Sequence, residues 1–187
     1  MERLPPLDPA KLTDRQKRLF DKIAGGPRGG VAGPFNVLLR CPGVADPVQE
    51  LGRYLRFEGV LPGPLRELAI LVTARFWTAQ YEWYAHARIA REEGVDGSVI
   101  EAIADDTTPD LATPQEIAVY NFCRELHADR MVSDECYTQA VDTLGPEAVI
   151  ELTVLAGYYA MISMILNTFE IPLPDGVAPP LAAVQPS

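Results

Sequence analysis

The chain has 187 residues, of which 48% are hydrophobic and 22% charged, and its formal net charge at pH 7 is −10. This length suits one globular domain with a sizeable core, and the hydrophobic content excludes a wholly disordered chain. Because nucleic-acid binding needs clustered Lys and Arg, the acidic balance argues against a nucleic-acid partner. One or two arginines could still bind a small anionic substrate.

Helix signals recur along the whole chain, as capping residues, first-turn prolines and closing glycines. They predict helices over 13–24, 46–57, 65–77, 80–93, 96 or 98 to 104, 113–129, 133–144, and 146 to about 167 or 169. Residues 1–12 are predicted to form an extended arm, 25–34 a glycine-rich loop, and 172–187 a proline-rich tail. We therefore expect one domain over 1–187.

The fold class follows from what the chain lacks and from its last helix. No run alternates apolar and polar residues as a half-buried strand would, so the sequence predicts an all-α fold with a helical hairpin at 64–94. The segment 152–166 is nearly all apolar, and a membrane span is the alternative. It is shorter than the roughly 20 residues a bilayer requires and follows Glu151, so we expect a long buried C-terminal helix and no membrane partner.

The three cysteines, Cys41, Cys123 and Cys136, are widely spaced and form no C-x-x-C pair. This unpaired set predicts a reducing compartment rather than a disulfide framework. The N-terminal M-E-R-L-P-P lacks the apolar core of a secretory signal. We therefore expect a cytoplasmic protein whose cysteines are buried small hydrophobes, and no spacing of His, Cys, Asp or Glu is typical of a metal site.

Three ionisable residues in the hairpin are candidates for chemistry. Glu82 and His86 are four residues apart, which places them on one face of a helix, and Glu67 on the preceding helix could approach His86. Two carboxylates beside an imidazole suit acid and base catalysis, because each group changes the proton affinity of the others. In the structural alternative, Glu67 pairs with Arg66, Arg75 or Arg88, and Glu82 only stabilises its helix end.

The stretch R-E-L-A-I-L-V-T-A-R-F-W-T-A-Q-Y-E-W-Y-A-H-A-R-I-A-R-E-E-G at 66–94 resembles the core motif of the carboxymuconolactone decarboxylase and alkyl hydroperoxidase D superfamily. Residues 33–39 and 166–174 are also similar to segments of its decarboxylase-type members. The peroxidase motif has a glutamate, a C-x-x-C pair and a histidine. On this chain Glu67 and His86 match, whereas Ala79 and Glu82 stand at the thiol positions.

The resemblance implies an alkyl hydroperoxidase D-like helical bundle, a homo-oligomer (trimer or hexamer), and a cofactor-independent decarboxylase of a small carboxylated lactone or ring-cleavage product. It also implies His86 as proton donor, Glu67 as its orienting partner and Glu82 as a second acid. The substrate-binding candidates are Arg75, Arg88 and Tyr81. Two alternatives stay open, namely a hydroperoxidase that uses a non-motif cysteine and a non-catalytic oligomeric binding module.

Overall fold

The computed structural model describes residues 3–5, 7–27 and 29–182, and every α-helix or 3₁₀-helix named here lies in that part. The helices are α1 (Asp14–Ala24), α2 (Phe35–Leu38), α3 (Pro42–Phe57), α4 (Gly63–Phe76), α5 (Gln80–Glu93), α6 (Gly97–Ala104), α7 (Pro114–Asp129), α8 (Asp134–Leu144) and α9 (Pro146–Thr168). The described chain contains no strand, which confirms the all-α class. Parts of the predicted arm and tail, residues 1, 2, 6 and 183–187, lie outside the described residues.

The described chain divides into two compact units, Met1–Gly59 with Ile165–Pro172, and Val60–Met164 with Leu173–Ser187. In the first unit, α1 packs on α3 and buries Leu19 and Ile23. A short 3₁₀-helix, Pro9–Lys11, interrupts the arm that was expected to be extended. Asp8 explains this turn, because its side chain accepts the backbone N–H of Ala10.

Helix α3 begins four residues before the predicted start at Asp46. Cys41 is its cap, Pro42 occupies the first position, and Pro47 lies inside the helix. Proline at the first position loses no hydrogen bond, whereas Pro47 lacks the N–H that would bond four residues back and its ring crowds that carbonyl. Asp46 and Pro47 do lie in a helix, as predicted, but the prediction that the helix begins there is wrong.

The second unit is built around the hairpin of α4 and α5. Helix α4 packs against α5, α6 and α7, and its residues Glu67–Ala74 are all buried, so it is a central helix of this unit. Helix α5 ends at Gly94, whose φ of 97° is the left-handed conformation that glycine adopts without steric cost. The hairpin brings the N-terminal turn of α5 beside the C-terminal turn of α4.

Helix α9 has the bounds predicted for it, and at 23 residues it could cross a membrane by length and composition. However, 56% of its most apolar window is buried inside the molecule, as in the core helix of a soluble protein. Its Glu151 is buried and accepts the backbone N–H groups of Val60 and Leu61, each at 2.9 Å. This carboxylate fixes the segment that leads into α4.

Candidate functional site

The structure brings Glu67, Glu82 and His86 into one buried cluster. Nδ1 of His86 lies 2.7 Å from Oε2 of Glu67, and Nε2 lies 3.2 Å from Oε1 of Glu82. The i,i+4 spacing on α5 explains the second contact, and the antiparallel packing of α4 on α5 explains the first. Each of the three residues is at most 4% exposed, so water does not screen the interactions among them.

The two carboxylates determine the charge of the histidine. Burial by itself lowers the pKa of His86, but the hydrogen bonds from Glu67 and then Glu82 outweigh it and raise the pKa from 6.5 to about 9. At neutral pH the ring is therefore an imidazolium, which donates its Nδ1–H to Glu67 and forms an ion pair with Glu82. Glu82 also lies in the first turn of α5, where the helix dipole stabilises a negative charge.

Charged groups of alternating sign continue the cluster toward the surface. Nε of Arg66 lies 3.4 Å from Oε1 of Glu67, and Nη2 of Arg66 lies 3.4 Å from Oε1 of Glu93. Thus the predicted alternative for Glu67 is partly realised, because Glu67 contacts Arg66 as well as His86. Gly63 makes room for Glu93, since a Cβ at that position would lie 1.8 Å from its Oε2.

One aromatic residue from α9 packs directly on the cluster. The ring of Tyr159 meets the His86 ring edge to face, with centroids 5.0 Å apart, and Tyr158 packs edge to face on Tyr159. The sequence indicates only that these tyrosines are polar residues on an apolar helix. The contact of Tyr159 with His86 spans more than 70 residues of chain and leaves no local signal.

The residues predicted to bind substrate lie in different surroundings. Arg75 lines a narrow cleft with Arg124 and Tyr120, and its Nε is buried with no hydrogen-bond partner in the described part of the chain. Arg88 is exposed and pairs with Glu92 at 2.6 Å. Tyr81 is half-buried, and burial followed by the negative charge of Glu82 raises the pKa of its phenol. Among these, Tyr81 is the chain neighbour of Glu82.

Ala79 and Glu82 stand at the two cysteine positions of the peroxidase motif, and the chain's three cysteines lie elsewhere. Ala79 is fully buried and caps α5. Burial raises the pKa of the Cys123 thiol to about 12 and that of Cys136 to about 11, so neither forms a thiolate at neutral pH. Both fit the predicted role of buried small hydrophobes. Cys41 is exposed, contrary to that expectation, because the cap position of α3 faces solvent.

His127 lies in the last turn of α7, and its ring packs against α4. Its Nε2 lies 2.9 Å from Oγ1 of Thr73, whose hydroxyl donates to the carbonyl of Ala69, so Nε2 carries the proton that Thr73 accepts. The ring stacks on Phe76 with centroids 5.2 Å apart, and burial lowers the pKa of His127. Among the described residues, no group of three or more His, Cys, Asp or Glu side chains has an arrangement that could hold a metal ion.

Comparison with known protein families gives a match that includes the helical hairpin. The model of the carboxymuconolactone decarboxylase family matches residues 42–125, which include Glu67, Glu82 and His86. The match covers 84 of the 187 residues, so the chain is similar to the carboxymuconolactone decarboxylase family over that stretch. The resemblance predicted from the motif at 66–94 is thereby confirmed. No curated protein matches the chain significantly in sequence.

Solved structures share the fold at low sequence identity. A peroxidase-related protein from Ralstonia eutropha JMP134, described as an alkylhydroperoxidase AhpD core, has a TM-score of 0.77 and 18% identity, with 93% of each chain covered. A peroxidase-related protein from Silicibacter sp. TM1040 has a TM-score of 0.71 and 16% identity, with 91% of each covered. The debrominase Bmp8 has a TM-score of 0.71 and 14% identity, with 91% of each covered. These likenesses confirm the alkyl hydroperoxidase D-like fold.

Proposed function

We propose that this protein is a cofactor-independent enzyme of carboxymuconolactone decarboxylase type, which acts by acid and base catalysis on a small carboxylated lactone or related ring-cleavage product. The observation that supports the proposal is the buried cluster of Glu67, His86 and Glu82. Its third member is a carboxylate at the position where the peroxidase motif has its second cysteine. A carboxylate carries protons, whereas peroxide reduction at that position requires a thiolate.

The reaction needs a proton and a place for negative charge. The bond between the ring and its carboxylate breaks, carbon dioxide leaves, and the electron pair passes through the ring double bond to the lactone carbonyl. A ring carbon of the resulting enolate then takes a proton. The imidazolium of His86 is the reservoir, and because Glu67 holds Nδ1 while Nε2 faces Glu82 at 3.2 Å, the proton leaves through Glu82. Glu67 holds the ring and balances its charge.

The substrate-binding candidates Arg75, Arg88 and Tyr81 lie in different surroundings, which affect how each could reach a substrate. Tyr81 lies near enough to Glu82 for that charge, after burial, to raise the pKa of its phenol, and the protonated phenol would donate a hydrogen bond to the enolate oxygen. Arg88 would have to exchange Glu92 for a substrate carboxylate. Arg75 would act from its own cleft, where its Nε is without a partner in the described residues.

The test measures carbon dioxide release from carboxymuconolactone and a set of other carboxylated lactones. General acid catalysis contributes about 10²–10⁴-fold, so Glu82→Gln and His86→Gln should each lower kcat at least about 100-fold. Glu101→Gln removes an exposed carboxylate on α6 and should leave kcat within about twofold. Turnover that survives both site substitutions would refute the assignment. Binding of a lactone without turnover would favour the non-catalytic binding module.

A second candidate is a thiol peroxidase, as the names of two structural neighbours suggest. The observation that favours it is the exposure of Cys41, since Cys123 and Cys136 are buried and protonated. Peroxide turnover that disappears in Cys41→Ser and persists in Cys123→Ser would support this candidate. Equal peroxide consumption by wild type and Cys41→Ser would exclude it.

We also propose that the protein acts in the cytoplasm as a homo-oligomer, either a trimer or a hexamer. Helix α9 supports this proposal, because Ile150, Val154, Gly157 and Met164 form an exposed and mostly apolar face. Light scattering should give a multiple of 20.5 kDa for wild type, and Ile150→Glu should lower it. Met131→Glu, at an exposed position outside α9, is the matched control and should keep the mass of wild type.

A further inference from the structure

A cleft in the first unit is lined by basic residues of α1. Arg15, Arg18 and Lys22 follow each other at spacings of three and four residues, so they lie on one face of α1. The cleft lies between this face and the start of α3, and its volume is about 250 Å³. Its lining residues are Arg15, Arg18, Leu19, Lys22, Pro42 and Asp46.

The acidic residue of the cleft does not neutralise the two arginines. Oδ1 of Asp46 lies 2.7 Å from Nζ of Lys22, which also contacts Glu50 at 2.7 Å. In the described part of the chain, Arg15 and Arg18 form no ion pair, although the whole protein carries a net charge of −10. The cleft therefore has two uncompensated guanidinium groups in an acidic protein.

Arg15 and Arg18 also lie near the start of helix α3. Helix α3 starts at Pro42, which lines the cleft, and its cap Cys41 makes no side-chain hydrogen bond, so the positive end of the helix dipole lies beside the cleft. Nη2 of Arg15 lies only 3.4 Å from where a Cβ on Gly43 would be. Cations at the positive end of a helix repel that end, unless an anion lies between them.

We propose that this cleft binds a small phosphate-type dianion, either free phosphate or a phosphate monoester. The planar forks of Arg15 and Arg18 match two oxygens of a phosphate group, and Lys22 adds a third positive charge beside its carboxylate partners. A volume of about 250 Å³ lies just below the roughly 300–1,000 Å³ of pockets for drug-sized ligands, so it suits a small ligand. The proposal concerns residues of the first unit and does not depend on the proposed decarboxylase activity.

The test is isothermal titration calorimetry at low ionic strength with inorganic phosphate in one arm and phenyl phosphate in the other. Wild type should bind one equivalent of a phosphate probe with saturation. Arg15→Gln combined with Arg18→Gln should weaken binding at least tenfold. Lys17→Gln is the matched control, because it removes one charge from the opposite side of α1, where Lys17 pairs with Asp21. Its affinity should stay within twofold of wild type, and circular dichroism should confirm that all variants are folded.

Each result supports or contradicts the proposal that the cleft binds phosphate. Saturable binding of either probe supports it, and the probe that binds more tightly indicates whether free phosphate or a monoester is the natural source. Absence of saturable binding in both arms overturns it. It is also overturned if the double variant binds as wild type does, or if Lys17→Gln weakens binding as much as the double variant. Succinate, if bound as tightly as phosphate, would show that the cleft takes carboxylates and that the ligand class is wrong.

Discussion

The dependence of stability on pH tests the charge state of His86 without any knowledge of a substrate. Its pKa rises from 6.5 in the unfolded chain to about 9 in the folded protein, so the folded state binds this proton more tightly. The resulting stabilisation is complete below pH 6.5 and is lost as the pH rises through 9. The difference between 9 and 6.5, at about 1.4 kcal/mol per pKa unit, gives about 3 kcal/mol.

The assay is urea unfolding followed by tryptophan fluorescence at intervals from pH 6 to pH 9.5. Wild type should lose about 3 kcal/mol of unfolding free energy over that range. In Glu82→Gln the ring keeps Glu67 but loses one charged partner, a contact worth about 1.5–3 kcal/mol or one to two pKa units. Glu82→Gln should therefore lose less unfolding free energy as the pH rises, and should lose it at lower pH, than wild type does.

His127→Gln is the matched control, because the shift at His127 has the opposite sign. Burial lowers the pKa of His127, so its contribution is present above pH 6.5 and is lost only as the pH falls below that value. His127→Gln should lose as much unfolding free energy as wild type does when the pH rises from 6 to 9.5. An unfolding free energy that stays constant between pH 6.5 and 9 in wild type, or that changes equally in Glu82→Gln, would refute the reasoning. A direct NMR titration of the His86 ring provides the independent measurement.

Three further predictions concern parts of the chain outside the cluster. Glu151→Ala removes the acceptor of the buried N–H of Leu61 and of the partly buried N–H of Val60, and should lower the unfolding free energy by about 2 kcal/mol, measured by urea denaturation. Gly94→Ala forces a side chain into a left-handed conformation and should cost about 1 kcal/mol, whereas Gly97→Ala, in open space, should not. An aromatic disulfide reagent should modify Cys41 alone in the folded protein and all three thiols in urea.

Most helix ends were predictable because capping is a local interaction. The reciprocal hydrogen bonds of Thr13 with Gln16 and of Thr113 with Glu116 are both present, and each joins residues three positions apart. The start of α3 was not predictable in the same way. Both Pro42 and Pro47 are compatible with a first turn, and packing against α1 rather than local chemistry extends the helix to the earlier proline.

The site shows the same division between local and distant interactions. The contact of Glu82 with His86 follows from spacing within one helix, and that of Glu67 follows from the hairpin. The approach of Arg66 to Glu93, 27 residues further along, and the packing of Tyr159 on His86 depend on how the helices meet. Side-chain positions of this kind are set by tertiary packing, and no motif in the sequence records them.

The energetic cost of the cluster gives a final argument about its purpose. Two carboxylates and one imidazole are buried together, and the attraction between such groups seldom exceeds the cost of removing them from water. Replacing Glu67, His86 and Glu82 together by Met, Leu and Leu should therefore leave stability unchanged or raise it by about 1–4 kcal/mol. Turnover of the lactone substrate should be abolished in the same protein. A large loss of stability in this triple variant would instead mean that the cluster holds the hairpin together, and that its charges need no catalytic explanation.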